Sequence, residues 1–543
     1  MGQAVRARRA RTAAPRAAIV CATLISLVGA VFAPLAAQVA VGDSLWKMGR
    51  TSEASAAYQR ALETDRFSVR ANVLAARALA WGSNTDSALK LLRNARVRVP
   101  SDPDIRYTEA LYLSWGKHFD EAVIRYDSLL QTNPELDYVR MAQARTLSWA
   151  GKLPEAERAY TDAIALPMND KDARRDAGIG LAQVTSWRGD LAGAAREYEA
   201  LLADDAGDPR ALAGLASVRS WQGRPRAAVR LLELALKRDS INAENKSSLA
   251  TARAAAATRT DVEADWSNDS DGDQNVWSLA TQRLFLTDQV AATATAGLLE
   301  ASDAVRHAKR SLGEFGLAAN GDIVRGSASL GVRSLNPDTP GAPDRAVLTA
   351  RISASMHIGA IANVGVSAAR LPFDEIASLL ARAIDLTALD ANVDLTPWRR
   401  GTVTLTAGTL GFSDGNRRTN FTLRASQRWP DRPWVGVFAR SMSFAETIQG
   451  YFSPGHFLLY EAQGGWEHDA ATWSGSIGGG LGSQKIDTGK PWQSEYHAEG
   501  RIGRRWKSGN SVALTGGLST SAASSAVGAF HYSTLGVNAT IAW

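Results

Sequence analysis

Hydrophobic and polar residues follow three successive rhythms along the 543-residue chain, and each rhythm predicts a different element. The first is a single block. Arg6, Arg8, Arg9, Arg11 and Arg16 precede an apolar run from Ala17 to Ala33, which closes on Leu35-Ala36-Ala37 with no acidic residue anywhere in it. Positive charge, apolar run and small-residue end, in that order, make a secretory signal that is cut before Gln38.

The second rhythm is helical and repeats. Between residues 38 and 257, tryptophans stand at Trp81, Trp115, Trp149, Trp187 and Trp221, spaced 34, 34, 38 and 34 residues, each followed within two residues by Gly. Ala122 and Tyr126, Ala156 and Tyr160, Ala194 and Tyr198, and Ala228 and Leu232 recur at matching offsets. Pro100 and Pro134 close their repeats, whereas Pro154 and Pro225 sit in a first helical turn, where a missing N–H costs nothing. Gly42 to Lys47 with Gly49, Ala54, Tyr58 and Ala61 form a degenerate first copy, giving six repeats and about twelve helices. This pattern resembles the tetratricopeptide family, whose period is 34 residues. A Trp at one fixed position is expected to pack in the repeat core rather than to form a sugar-stacking ladder, because such repeats bury a common core. What the array then offers is a concave surface.

From Thr260 the rhythm shortens to segments of about ten residues in which apolar and polar positions alternate. In the last, Leu535, Val537, Ala539, Ile541 and Trp543 face one way, and Thr534, Gly536, Asn538 and Thr540 the other. Leu348 to Met356 and Trp492 to Glu499 alternate in the same way. Short turns near Thr287-Asp288, Asn320-Gly321, Gly359-Ala360, Pro397-Trp398, Pro430-Asp431, Asp469-Ala470 and Ser508-Gly509 alternate with longer connections. Seven short turns and eight longer loops predict sixteen strands, with both ends of this segment on the short-turn side. Trp398, Trp429, Trp434, Trp466, Trp473, Trp506 and Trp543 lie near the short turns or the terminus, and Trp266, Trp277 and Trp492 flank the longer loops. Two such groups match the aromatic girdles of a membrane barrel. The expected architecture is α then β: a signal over 1–37, an all-α tetratricopeptide solenoid over 38–257, and an antiparallel transmembrane β-barrel over 258–543. Pro372 to Arg382 reads as helical within a long loop and either folds inward as a constriction or lies on the surface.

Composition narrows the chemistry. The one cysteine, Cys21, lies inside the signal's apolar run, so a mature chain has none, and disulfides and thiol catalysis are excluded. The formal charge of +6 falls to +1 once the five signal arginines are removed, which leaves no basic footprint for nucleic acid. After the signal no stretch approaches 18 consecutive apolar residues, so the chain enters a membrane only as a barrel. His118, His307, His357, His456, His468, His497 and His531 show no paired helical spacing for a metal, and no Gly-rich phosphate loop opens a helix. Asn268 to Asp273 alternates acids as a calcium loop does, but Gln274 stands where Gly should follow, and it reads as a solvated hairpin. No catalytic residue, metal or cofactor is assigned, and the chain is not expected to be an enzyme. The candidate site is the barrel lumen, lined by Arg351, Asp390, Asn392, Asp394, Arg424, Arg428, Glu461, Gln463, Glu467, Glu495, His497 and Glu499, with acids and bases mixed.

A repeat array joined to a carboxyl-terminal barrel resembles the outer-membrane exporters of bacterial exopolysaccharides, of the cellulose-synthase subunit and poly-N-acetylglucosamine porin types. Gly450-Tyr451-Phe452-Ser453-Pro454 resembles a signature of the cellulose subunit's barrel. Arg370-Leu371-Pro372 leading to Ser378-Leu379-Leu380, and Phe412-Ser413-Asp414-Gly415-Asn416, are similar to loop-proximal patterns of such barrels. Trp543, an aromatic last residue, resembles their terminal assembly signal. The resemblance implies a monomeric barrel in outer-membrane lipid, a periplasmic helical domain that docks a protein partner, a polysaccharide as cargo, and no catalytic residues.

Overall fold

The computed structural model describes residues 35–82, 84–165, 171–359, 361–398, 400–429, 433–524, 526–528 and 531–543. Residues 1–34 of the expected signal, Ala360 and the Pro430-Asp431 turn lie outside them. Packing divides the chain into two compact units, Met1–Val184 and Thr185–Trp543.

The first unit holds α1 (Leu35–Lys47), α2 (Thr51–Thr64), α3 (Val69–Trp81), α4 (Thr85–Arg98), α5 (Pro103–Trp115), α6 (Phe119–Thr132), α7 (Asp137–Trp149), α8 (Leu153–Ala165) and most of α9 (Lys171–Trp187). Local chemistry sets their ends. Asp102 caps α5 by accepting from the Ile105 N–H at 3.0 Å, with Pro103 in the first turn. Beyond Trp149, Gly151 turns the chain at φ 70°, the left-handed stop that glycine tolerates. Ala54, Ala88, Ala122 and Ala156 are fully buried, and Tyr58, Leu92, Tyr126 and Tyr160 are buried beside them. A Cβ on Gly180 of α9 would fall inside the Tyr160 ring, so glycine there permits the close approach of α8 and α9.

The second unit continues with α10 (Leu191–Asp204), α11 (Pro209–Trp221), α12 (Pro225–Arg238) and α13 (Ala243–Ala256). It repeats the Ala and Tyr or Leu positions as Ala194, Tyr198, Ala228 and Leu232, all buried.

The tryptophans correct the sequence expectation. Trp81, Trp115, Trp149, Trp187 and Trp221 are each the last residue of their helix and are 43–65% exposed. A helical side chain leans back toward the N-terminus, so each ring lies over its own last turn, on the side left open to solvent. The buried column is the small residue and ring of each second helix instead. Trp81 meets Trp46 edge-on at 5.8 Å, and Trp115 lies 5.0 Å from Tyr112.

Sixteen antiparallel strands close into a barrel in sequence order, with β1 (Arg259–Asp269) paired to β16 (Tyr532–Ala542). Between them run β2 (Gln274–Phe285), β3 (Val290–Ser302), β4 (His307–Asn320), β5 (Val324–Asn336), β6 (Arg345–Ile358), β7 (Ala362–Pro372), β8 (Asp385–Leu395) and β9 (Gly401–Phe412). The circuit continues through β10 (Arg417–Arg428), β11 (Pro433–Phe444), β12 (Phe457–Asp469), β13 (Trp473–Ile486), β14 (Gln493–Arg505) and β15 (Ser511–Ser519). Closure leaves no free edge, because every strand has two partners.

The outer wall is apolar: Leu348, Ile352, Val366, Leu389, Val435, Val437, Ile477, Leu481, Leu514 and Leu535 are all exposed on it. A continuous exposed apolar band suits lipid, not water. Among the described residues no helix is long and apolar enough to cross a membrane. Trp398, Trp429, Trp466, Trp473, Trp506 and Trp543 are exposed toward the short-turn rim, and Trp266 and Trp492 toward the opposite one. Trp277 and Trp434 depart from the expected girdles. Each is one residue out of phase with an outward neighbour, Val276 or Val435, and therefore faces the lumen.

The last helices of the second unit meet the short-turn rim through arginines. Arg224 Nε donates to the Asn320 carbonyl at 2.8 Å, and its guanidinium lies 3.0 Å from Asp322. Arg219 also pairs with Asp322 at 2.7 Å, Arg226 donates to the Phe285 carbonyl at 3.0 Å, and Arg230 pairs with Asp288.

Candidate functional site

Strand alternation decides what the lumen sees. Because Leu348 and Ile352 of β6 point outward, Arg351 points inward, where it lies 4.0 Å from Glu314. On β8, Leu389 faces out and Asp390, Asn392 and Asp394 face in. Asp394 accepts from Thr404 Oγ1 at 2.9 Å, Asn392 Nδ2 at 3.0 Å and Asn363 Nδ2 at 3.3 Å. Arg424, Arg428, Glu461, Gln463, Glu467, Glu495, His497 and Glu499 line one polar cavity of about 540 Å³ against β10 to β16. The structure thus gathers eight of the twelve candidates in one place and leaves four on the β6–β8 wall. Arg428 pairs with Glu467. Arg440, facing the same cavity, was not singled out by sequence reasoning.

Within that cavity the wall is built around a bare strand. The inward positions of β13 include Gly478, Gly480 and Gly482, paired on one side with Gly465, Gln463 and Glu461 of β12 and on the other with Glu499, His497 and Glu495 of β14. With no side chain between them, groups from the two flanking strands reach each other. His497 Nδ1 lies 2.9 Å from Glu461 Oε1, and Gln463 Nε2 donates to Glu461 Oε2 at 2.7 Å. Trp434 lies over Gly465 and Gly478 in the same fashion. The signal for this arrangement was present as a glycine at every second position, but it acquires meaning only once the register is known.

The rim opposite the short turns is spanned by the connection between β7 and β8. Its short helix α14 (Ala377–Arg382) folds inward: Ile376, Ala377, Leu379, Leu380 and Ile384 are buried. Leu379 packs with Phe412, Met442, Phe444, Tyr451, Phe457 and Leu459, whereas Ala377 and Leu380 pack with Leu299, Ala301, Ala308, Leu335 and Val347. The segment therefore bridges the wall of β3–β6 and the wall of β9–β12. Asp374, itself buried, is held by Arg333 at 2.7 Å and Arg310 at 3.0 Å.

The three loop motifs quoted from the sequence converge on this closure. Tyr451 stacks on Phe412 at 5.2 Å and meets Phe373 edge-on at 5.6 Å. Its hydroxyl donates to Asp414 at 3.0 Å and accepts from Asn416 at 2.9 Å. Ser453 Oγ accepts from the Ile448 N–H at 2.8 Å and shapes the turn that delivers Tyr451. From β13, Gln484 ties the β15–β16 loop to the same cluster by donating to the Thr520 carbonyl at 3.0 Å and accepting from the Ala522 N–H at 2.9 Å. At the far end of the barrel Trp543 donates from its indole to Thr260 at 3.1 Å, and its backbone N–H donates to the Thr258 carbonyl at 2.8 Å.

The remaining sequence candidate, the Asn268 to Asp273 hairpin, is less solvated than expected, since Asp273 is buried. Burial, and then the carboxylates of Asp269, Asp303 and Asp271, push the Asp273 carboxyl up to about 6, against the opposing charge of Arg306.

The tetratricopeptide repeat family matches residues 188–247. No characterised protein matches the chain by sequence. Among solved structures the chain is similar to a bacterial polysaccharide outer membrane secretin, at 12% identity and a TM-score of 0.44, over 53% of this chain and 99% of that one. It is also similar to a tetratricopeptide repeat protein from Parabacteroides merdae, at 17% identity and a TM-score of 0.35, over 40% of this chain and 84% of that one. A third similarity is to Pseudomonas aeruginosa pilF, at 18% identity and a TM-score of 0.32, over 40% of this chain and 97% of that one.

Proposed function

We propose that this protein is a gated outer-membrane conduit through which an exopolysaccharide leaves the cell, with periplasmic repeats that dock a partner protein or the polymer itself. The reading takes residues 1–37 as a cleaved signal, 38–257 as the periplasmic solenoid and 258–543 as the barrel. Its single carrying observation is a polar lumen of mixed charge with an inward-folded segment across one rim. Acids, amides and arginines along such a wall exchange hydrogen bonds with a hydroxyl-rich chain as readily as with water, so a glycan slides without covalent chemistry. The exposed Trp115 and Trp149 rings add apolar, stackable surface to the repeats.

The same closure favours a second reading, in which the barrel stays shut and anchors the repeats as an interaction scaffold or receptor. Proteoliposomes loaded with fluorescent anionic, neutral and cationic oligosaccharides separate the two. Efflux of one glycan class from vesicles carrying a chain shortened across residues 374–383 supports export and gives the charge of the cargo. Retention of all three classes by that variant, with the barrel folded, supports the anchor.

A further inference from the structure

We propose that Glu461, Glu495 and His497 form a site for a divalent transition-metal ion in the lumen wall, tying β12 to β14 across the glycine face of β13. One ligand atom from each of the three residues lies within 4.8 Å of the other two. Adjacent strands run about 4.8 Å apart, so β12 and β14 stand about 10 Å apart, and their side chains meet only where β13 offers none. Gly482 pairs with both Glu461 and Glu495, and Gly480 pairs with His497. A Cβ at position 480 would sit 3.0 Å from His497 Nδ1, and one at 482 would sit 2.9 Å from Glu461 Cγ. The glycines are the space in which the cluster assembles.

The charge balance asks for a cation. Glu495 is 2% exposed and Glu461 7%, and neither oxygen of Glu495 meets a hydrogen-bond donor. Among the described residues no ion pair reaches Glu495; of the arginines facing this cavity, Arg428 is paired with Glu467, Arg440 lends its charge to Glu461, and Arg424 forms no ion pair with either carboxylate. A buried carboxylate with no donor and no counter-charge is costly, and the cost falls when a proton or a cation joins it. Two carboxylates and one imidazole neutralise a divalent ion and supply the oxygen and nitrogen donors that zinc-like ions take, with lumen water for the open position. Bond lengths of about 2.0–2.2 Å set tetrahedral ligand atoms about 3.5 Å apart, inside the 4.8 Å span of the three and slightly wider than the 2.9 Å Glu461–His497 contact. Gln463, donating to the second oxygen of Glu461, fixes that carboxylate from outside, as supporting groups of metal ligands do.

Sequence reading assigned no metal because the ligands lie on two strands, with Glu461 and His497 separated by 36 positions. The inference stands whether or not a glycan passes the barrel.

The test uses the full chain, free of any tag, in detergent micelles and stripped of metal. Co²⁺ alone is titrated in, followed by its visible absorption, and then displaced with Zn²⁺. One equivalent of Co²⁺ is expected, with affinity weakened at least about tenfold by Glu495→Gln and by His497→Ala while strand content by circular dichroism is unchanged. X-ray absorption of the Zn²⁺-loaded wild type, reading one imidazole among oxygen donors, gives the same assignment without a variant. Absence of saturable Co²⁺ uptake by the wild type, or uptake that neither variant weakens, overturns the proposal. A protonated-carboxyl infrared band that Glu495→Gln removes, in protein that takes up no Co²⁺, assigns the pair to a shared proton instead.

Discussion

Exposure, not residue type, separates the side chains that hold the repeats together from those that decorate them. Tyr126 is fully buried and Trp115 is 45% exposed, although both are aromatic and recur at fixed repeat positions. Tyr126→Ala is therefore expected to cost about 3–5 kcal/mol and Trp115→Ala less than about 1 kcal/mol, read from chemical denaturation of the isolated variants side by side. Equal losses would return the tryptophans to the core. The period of 34 was legible in the sequence, but which recurring residue was buried was not, because periodicity marks a column without saying which way it points. A second expectation at this scale concerns Asp273. A carboxyl raised to about 6 binds its proton more tightly in the folded hairpin than in the unfolded chain. The penalty on folding is accordingly present above pH 6 and falls away as pH drops from 6 toward the ordinary aspartate range near 4. Carboxyl NMR should find Asp273 titrating near 6, and Asp303→Asn should lower that value, since one of the repelling charges is gone. A titration at the ordinary aspartate value would remove the buried-acid account of this loop.

Single elements carry the two contacts on which the account turns, the α14 segment at one rim and the α11–α12 helices at the other. Asp374 faces both Arg333 and Arg310 in a buried setting. Breaking a buried pair costs about 3–5 kcal/mol, so Asp374→Ala should raise the open fraction of the rim by about two to four orders of magnitude, seen as ion leakage across proteoliposomes. Leakage no greater than that of the wild type would mean that the apolar packing of Leu379 and Leu380 holds the segment alone. At the other rim, Arg230 and its partner Asp288 are partly exposed and contribute at most about 1 kcal/mol, whereas Arg224 is buried and satisfied by Asn320 and Asp322. Arg224→Ala should therefore increase hydrogen exchange of the 321–323 turn more than Arg230→Ala increases that of the 286–289 turn. The Arg230 hydrogen bond holds the Asp288 carboxyl below its usual range, with burial opposing. A depressed acid contributes stability that is complete above the ordinary range and is lost only as pH falls through the lowered value, so this pair should survive mild acid and release below about pH 4. Helix and strand positions, and the alternation of short and long connections, were readable from periodicity and turn residues. The inward fold of residues 373–384 was not, since an amphipathic six-residue helix reads the same whether its apolar side meets a lumen or a rim.

In the whole molecule an inward-folded segment spans one rim of a closed barrel. Sixteen strands close with an apolar outside, and the polar inside gathers eight of the predicted lumen residues in one cavity. That much followed from alternation along strands, because one parity must face lipid and the other must not. What escaped the sequence was pairing across strands: which acid meets which base, why a bare glycine face lies between Glu461 and Glu495, and how motifs at 370–380, 412–416 and 450–454 close on one another. Strand register and loop return set these meetings, and neither is encoded at a single position. Single-channel current through the full chain in planar bilayers, compared with a chain lacking residues 374–383, tests the gated conduit. A wild type that is almost silent and a variant that conducts steadily and is blocked by oligosaccharide are expected. A wild type that already conducts at the level of the variant, or a folded variant that stays silent, would contradict it.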